Sequence, residues 1–250
     1  MNGDAGFAVL GDERVDDLQY NGLRLIQSPA SFCFGTDSVL LLHFACKGLE
    51  KAPKKSRAAD LGAGSGFLSL MLASRLGIRV TAVEIDEGQC DRLKRSLLIN
   101  GMTGGEVEVV NTDYLDKNAI RGPFDCAVCN PPYFRGDQGR LSKNPAATHE
   151  TAADIASIAR AAARLVKYGG KLFICFPAQR LAEALSALSA AGLEPKQLRL
   201  VQTDEKHKPY LALIRANRGA KKGLTVERNL IILGPDGEYT EEVEGYYRGN

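Results

Sequence analysis

A chain of 250 residues with 44% apolar and 25% charged side chains can bury one sizeable core, and its composition excludes a disordered or fibrous protein. Lys and Arg number 32 against 30 Asp and Glu, so no overall field demands a polyanionic partner, and no stretch is long and apolar enough to span a bilayer. The opening residues carry Asp4, Asp12, Glu13, Asp16 and Asp17 where a leader would be basic and then apolar, which predicts no secretory signal and a cytoplasmic protein.

Leu23 to Gln27 reads as a strand and Asp37 to Cys46 as a helix; residues 1–55 are expected to form a flank and cofactor lid on a core of residues 56–250, the whole a single domain without internal repeat. Ser56 to Leu61 reads as a short buried strand. It runs into Asp60-Leu61-Gly62-Ala63-Gly64-Ser65-Gly66, after which Phe67 to Leu76 has helical apolar spacing. A Gly-rich turn between strand and helix lets a ligand approach the backbone closely. A dinucleotide fingerprint needs a third glycine where this chain has Phe67, which weakens an NAD reading.

A second strand, Arg79 to Val83, ends in Glu84-Ile85-Asp86, where a carboxylate suits both hydroxyls of a ribose. A third, Val107 to Val110, ends in Asn111-Thr112-Asp113-Tyr114, where a carboxylate followed by apolar side chains suits an adenine amine and ring. These strand ends predict one crevice at the carboxyl edge of a parallel sheet.

Phe124 to Cys129 predicts a fourth strand, and Asn130-Pro131-Pro132-Tyr133 follows it. A planar amine is a poor nucleophile because its lone pair is delocalised. An Asn oxygen and the carbonyl of the first Pro can each accept one N–H and draw the amine toward tetrahedral geometry as the new bond forms, which is transition-state stabilisation by fixed acceptors. Consecutive prolines stiffen the turn and leave its carbonyl free to face a ligand. Tyr133 suits stacking on a base or capping an amide. The same residues are also common strand-ending punctuation, and the upstream Gly-rich turn and acids are what favour chemistry.

Six cysteines show no disulfide framework, and Cys126-x-x-Cys129 lies within a strand, where residues three apart face opposite sides; no second Cys or His pair follows at ligand spacing, so core cysteines are expected and no metal. Arg135 to Glu150 is a long aperiodic connection. Its Arg135, Arg140 and Lys143, with His149, would place positive charge beside the amine site and suit RNA phosphates, although each alone also reads as solvated surface. Thr151 to Val166 reads as a helix broken at Gly169-Gly170, Lys171 to Phe176 as the fifth strand and Ala182 to Ala191 as a helix. Leu198 to Gln202 and Tyr210 to Ala216 predict an antiparallel pair, and Leu230 to Leu233 a late strand before the Pro235-Asp236-Gly237 turn. Lys206, Lys208, Arg215, Arg218, Lys221, Lys222 and Arg228 cluster with only Glu227 among them, which makes Arg218, Lys221 and Lys222 candidate phosphate contacts against the plain reading of solvated charge. His207 is expected to cap a strand turn.

In this order the motifs resemble those of the class I S-adenosylmethionine-dependent methyltransferases, in the amino-methylating branch that carries Asn-Pro-Pro-Tyr, and the resemblance covers almost the whole chain. It implies a Rossmann-like α/β fold: a mostly parallel seven-stranded sheet with an antiparallel C-terminal strand and helices on both faces. It implies S-adenosylmethionine as cofactor, held by Asp60, Gly62, Ala63, Gly64, Gly66, Glu84, Ile85, Asp113 and Tyr114, with Phe34, Gly35 and Thr36 of the segment Phe32 to Asp37 helping to close the pocket. Asn130, Pro131, Pro132 and Tyr133 are then catalytic, Asn130 also touching the cofactor.

The Phe-x-Phe-Gly-Thr-Asp opening, the chain length and the ending around Gly234 to Thr240 are most similar to the tRNA (adenine-N6)-methyltransferases that modify the adenine beside the anticodon of a valine tRNA. This implies a tRNA partner, no membrane and no obligate protein partner. The same tetrapeptide serves enzymes acting on the exocyclic amine of guanine in ribosomal RNA and on protein glutamines. The latter usually carry an extra N-terminal helical domain, and only about fifty residues precede the first core strand here. A noncatalytic RNA-binding module of this fold would need no amine acceptors.

Overall fold

The computed structural model describes residues 9–132 and 154–248. The chain opens with an antiparallel hairpin of β1 (Arg14–Asp17) and β2 (Arg24–Gln27). The sequence predicts only the second strand, because β1 has no apolar alternation. Its approach is anchored instead by Glu13, which accepts from Arg95 twice at 2.7 Å, and the Arg95 guanidinium holds that carboxyl down to about 2. Helix α1 (Thr36–Leu49) follows, longer at both ends than predicted and buried continuously from Ser38 to Ala45.

Then come β3 (Arg57–Leu61), α2 (Phe67–Leu76), β4 (Arg79–Glu84), α3 (Glu87–Ile99), β5 (Val107–Asn111) and β6 (Phe124–Cys129). Beyond the Asn-Pro-Pro turn the described chain resumes with α4 (Ile155–Leu165), β7 (Val166–Pro177), α5 (Leu181–Ala190), β8 (Leu193–Gln202), β9 (Leu211–Arg218), β10 (Thr225–Val226), β11 (Leu230–Ile231) and α6 (Glu241–Tyr247). The main sheet has the order β10-β8-β9-β7-β6-β3-β4-β5, with β11 also paired to β8. Strands β3 to β7 are mutually parallel, and β9 runs antiparallel to both β7 and β8. The predicted seven strands are all present, and the short β10 and β11 extend them to nine.

Central β3 is buried in four of its five positions, as a strand covered on both faces must be. One apolar layer packs α1, α2 and α3 on the sheet through Leu41, Leu70, Leu93 and Phe173; the other packs α4 and α5 through Phe124, Ile158, Leu165 and Leu188. Cys126 faces the first layer and Cys129 the second, as their spacing predicts. Burial pushes the Cys126 thiol up to about 12, and no three metal-ligating side chains cluster among the described residues. No described helix is long and apolar enough to cross a membrane.

Two boundaries differ from expectation for local reasons. Helix α4 stops at Leu165 because Val166 is already extended and pairs with Phe124, so Gly169-Gly170 fall inside β7, at a register shift. Strand β8 begins at Leu193, ahead of the predicted Leu198, because Pro195 sits at an irregularity where a missing N–H is tolerated. The late strand is limited to Leu230–Ile231, and Leu233 bridges Tyr239 instead. His207 lies in the β8–β9 turn, its Nδ1 at 2.7 Å from Asp204 Oδ1.

From β3 the chain builds outward through β4 and β5, then returns to lay β6 and β7 on the other side. That reversal opens a crevice between the carboxyl ends of β3 and β6, where α/β sheets bind ligands.

Candidate active site

Between β3 and α2 the chain turns through Gly62, Gly64 and Gly66 at φ of 75°, 56° and 91°, a conformation that excludes most side chains. The N–H groups of Gly62 and Ala63 both donate to the Val83 carbonyl, at 2.9 and 3.0 Å, tying the turn to β4. Gly66 serves packing: a Cβ there would meet Leu93 Cδ1 at 2.2 Å.

Glu84, buried at the end of β4, accepts the Gly64 N–H on Oε2 at 2.8 Å and the Asp86 N–H on Oε1 at 2.9 Å. Asn111 donates to the carbonyls of Glu84 and Ile85, both at 3.0 Å, and Ile85 stays 67% exposed at the crevice. Asp60 lies beneath the turn, 1% exposed, its Oδ2 accepting from Ser69 Oγ at 2.7 Å while buried Oδ1 has no partner among the described residues. Burial pushes the Asp60 carboxyl up to about 7; the Ser69 bond opposes this and the Glu84 charge adds to it. Asp113 Oδ1 accepts the Leu115 N–H at 2.8 Å, which shapes the turn carrying Tyr114, whose ring lies against Gly62 and whose phenol burial pushes up.

The segment leading into α1 is clamped from three sides. Phe34 stacks on Phe67 with centroids 4.2 Å apart, and its N–H donates to Gln27 Oε1 at 2.9 Å. Gln89 donates to the Phe32 carbonyl at 2.9 Å, and Arg92 to Ser31 Oγ at 2.8 Å. Gly35 and Thr36 begin α1, and neither lines the cavity beside the Gly-rich turn.

Asn130 directly follows β6 and is half-buried. Its Nδ2 donates to Ser38 Oγ at 2.9 Å and its Oδ1 accepts from the Cys175 thiol at 2.9 Å. Pro131 is buried and Pro132 exposed. Tyr133, Arg135, Arg140 and Lys143 lie outside the described residues. A cavity at this edge is lined by Phe32, Phe34, Ser38, Gly62, Ala63, Gly64, Ser65, Phe67, Leu68 and Asn130, so the Gly-rich turn, the segment from Phe32 to Phe34 and the Asn-Pro-Pro turn share one wall. Motif reading missed Ser38, Ser65, Phe67 and Cys175. Ser38 directly follows the lid segment and was within reach of it, whereas Cys175 carried no signal beyond a core cysteine.

The structure does not bring Arg218, Lys221 and Lys222 to this site. Because β9 is antiparallel, Arg218 stands at the opposite edge, where Nη1 donates to the Val166 carbonyl, and Lys221 and Lys222 follow there. A larger cleft of about 610 Å³ also opens at that edge, lined by Arg57, Arg79, Thr81 and Glu108 among others, and none of the motif residues reaches it.

A switch-point crevice that combines a Gly-rich turn, a pinned carboxylate after the second core strand and an Asn-Pro-Pro turn after the fourth defines a class I S-adenosylmethionine-dependent methyltransferase. The chain belongs to the methyltransferase small domain family, whose profile matches residues 34–191. It is 31% identical over 229 residues to the tRNA1(Val) (adenine(37)-N6)-methyltransferase of Tolumonas auensis, covering 89% of this chain and 91% of that one. It is 27% identical over 229 residues to the protein of the same name from Shewanella woodyi, covering 85% and 90%. A T. thermophilus 16S rRNA N2 methyltransferase, solved in complex with AdoMet and guanosine, shares the fold at a TM-score of 0.62 and 20% identity, over 84% of this chain and 51% of that one.

Proposed function

We propose that the chain methylates the exocyclic N6 amine of an adenine in tRNA, the adenine beside the anticodon of a valine tRNA, and that it does so in the cytoplasm. The observation that carries this reading is Asn130 on the same cavity wall as Gly62, Ala63, Gly64 and Ser65: amine acceptor and cofactor turn share one crevice.

The residues present fit the cofactor. The unpartnered Oδ1 of Asp60 suits an α-ammonium, and each Glu84 oxygen keeps a lone pair beyond its backbone bond for a ribose hydroxyl. Asp113, Tyr114 and exposed Ile85 are assigned to the adenine, and Phe34, stacked on Phe67, is assigned to closing the cavity beside the Gly-rich turn. S-adenosylmethionine, when bound, supplies a methyl group on a sulfonium centre.

The remaining chemistry belongs to the catalytic turn. Asn130 Oδ1 and the Pro131 carbonyl accept the two N–H groups of the target amine and localise its lone pair toward the incoming carbon. Pro132 stiffens the turn, and Tyr133 is assigned to the face of the base. No strong base is needed, because the alkylated amine is acidic and water takes the proton. The adenine must leave its stack to enter, which a single-stranded loop allows most easily, and Arg135, Arg140 and Lys143 are assigned to its flanking phosphates.

The test is Asn130→Ala compared with wild type on total RNA from a strain lacking the enzyme, using labelled cofactor and nucleoside mass spectrometry. Wild type should produce N6-methyladenosine in tRNA, and the variant none, with cofactor affinity nearly intact by calorimetry. Label in N2-methylguanosine would favour the ribosomal-RNA reading suggested by the structural relative with bound guanosine; label in protein glutamine would overturn an RNA substrate.

A further inference from the structure

Backbone stiffness fixes where Asn130 stands but not which way its amide faces. A half-turn about the last side-chain bond exchanges Oδ1 and Nδ2 at almost no steric cost. Only one of the two faces is useful. An oxygen aimed at the amine accepts its N–H, whereas an NH₂ aimed there opposes donor to donor and cannot localise the lone pair.

Two side chains from distant parts of the chain grip this amide. Ser38, in the first turn of α1, accepts from Nδ2 at 2.9 Å. Cys175, fully buried on β7, donates to Oδ1 at 2.9 Å, and the pairing of Cys129 with Ile174 is what brings it beside Asn130. The two grips differ in what they can specify. A hydroxyl both donates and accepts, so Ser38 would satisfy either orientation of the amide. A thiol donates weakly and is a still poorer partner for an NH₂ group, so Cys175 breaks the tie.

We infer that Cys175 is a positioning residue that, together with Ser38, locks the Asn130 amide with its oxygen toward the reacting amine. The inference rests on the reading of Asn130 as the amine acceptor. The carboxamide oxygen has two lone pairs; the thiol occupies one and leaves the other for substrate.

The lock also carries selectivity. With the amide held this way, Asn130 Oδ1 and the Pro131 carbonyl form an all-acceptor site. It matches an exocyclic amine and repels a keto oxygen at the same place, as in an RNA with inosine in place of the target adenosine. Releasing the lock lets the amide turn and offer an N–H to that oxygen, so discrimination should fall along with rate.

The experiment uses full-length Cys175→Ala, Cys175→Ser and Asn130→Ala, each checked for a native thermal transition and for cofactor affinity. Activity is measured on an unmodified anticodon stem-loop, with the inosine-containing stem-loop as competitor. Cys175→Ala should lose about three- to tenfold in kcat, the rate equivalent of one neutral hydrogen bond, with cofactor affinity unchanged. It should also be inhibited more strongly by the inosine RNA than wild type is. Cys175→Ser should restore part of the rate, because its hydroxyl still donates, but not the selectivity, because a hydroxyl also accepts from a turned amide. Wild-type kcat and wild-type inosine inhibition in Cys175→Ala, beside an inactive Asn130→Ala, would overturn the inference and leave the amine-acceptor reading standing. Equal losses of rate in the Ala and Ser variants, or wild-type selectivity in the Ser variant, would reduce Cys175 to packing and overturn it as well. Full turnover by Asn130→Ala would remove the reading itself.

Discussion

Replacing Glu84 by Gln changes the shape of the side chain hardly at all, yet both of its oxygens are committed as acceptors, to Gly64 N–H at 2.8 Å and Asp86 N–H at 2.9 Å. An amide has one oxygen, so in either orientation its NH₂ must confront a backbone N–H. The cofactor-free protein therefore loses one charge-assisted bond and leaves a donor unpaired, a cost of about 1–3 kcal/mol. The ribose loses at least one charge-assisted acceptor as well, about 1.5–3 kcal/mol, which is roughly a 10- to 150-fold rise in Kd. Calorimetric titration with S-adenosylmethionine measures the second effect, and urea denaturation of the cofactor-free protein the first, as a lower midpoint at unchanged slope. Wild-type Kd in the variant would refute the ribose assignment. Weakened binding with an unchanged denaturation midpoint would refute the pinning of the carboxylate by the backbone.

Burial raises the Asp60 carboxyl to about 7, so the folded cofactor-free protein keeps a proton that the unfolded chain releases near its ordinary value. That contribution is present at low pH and is lost as pH rises through about 7, so the stability of Asp60→Asn relative to wild type should grow across that range; a flat difference would mean that the carboxyl is already paired. Gly66→Ala combines left-handed backbone strain of about 1–2 kcal/mol with about 1–3 kcal/mol of overpacking against Leu93, whereas Gly77→Ala, with open space around it, should suffer only the strain. Equal denaturation midpoints for the two would remove the Leu93 contact from the explanation. Replacing Arg218, Lys221 and Lys222 by Gln should leave KM for an anticodon stem-loop unchanged and raise it, with a flatter salt dependence, only for full-length tRNA that reaches the opposite edge.

The core strands were legible because their apolar runs end in Gly, Pro or acid at the crevice, and chain order alone places Gly62, Glu84, Asp113 and Asn130 at one edge of a parallel sheet. What stayed hidden depends on partners far away in sequence. Strand β1 offers no pattern of its own and is held near Arg95, 82 residues on from Glu13. Ser38 and Cys175 meet Asn130 across 92 and 45 residues, and neither differs in the sequence from an ordinary helix serine or core cysteine. The basic cluster was visible but its position was not, since only the antiparallel run of β9 shows that Arg218 stands at the edge opposite the one where Tyr210 remains.

The lid has a consequence for synthesis. It is translated first, but its bonds to the core are made later: Ile26 N–H donates to Ser96, Arg24 N–H to Asn100, and Gln89 and Arg92 hold the carbonyl of Phe32 and the hydroxyl of Ser31. A growing chain that has exposed β3 and the Gly-rich turn still lacks that wall until α3 has left the ribosome, and it lacks the thiol beside Asn130 until β7 has followed. The wall beside the Gly-rich turn is thus completed only with the exit of α3, and the bond from Cys175 to Asn130 only after β7 has followed.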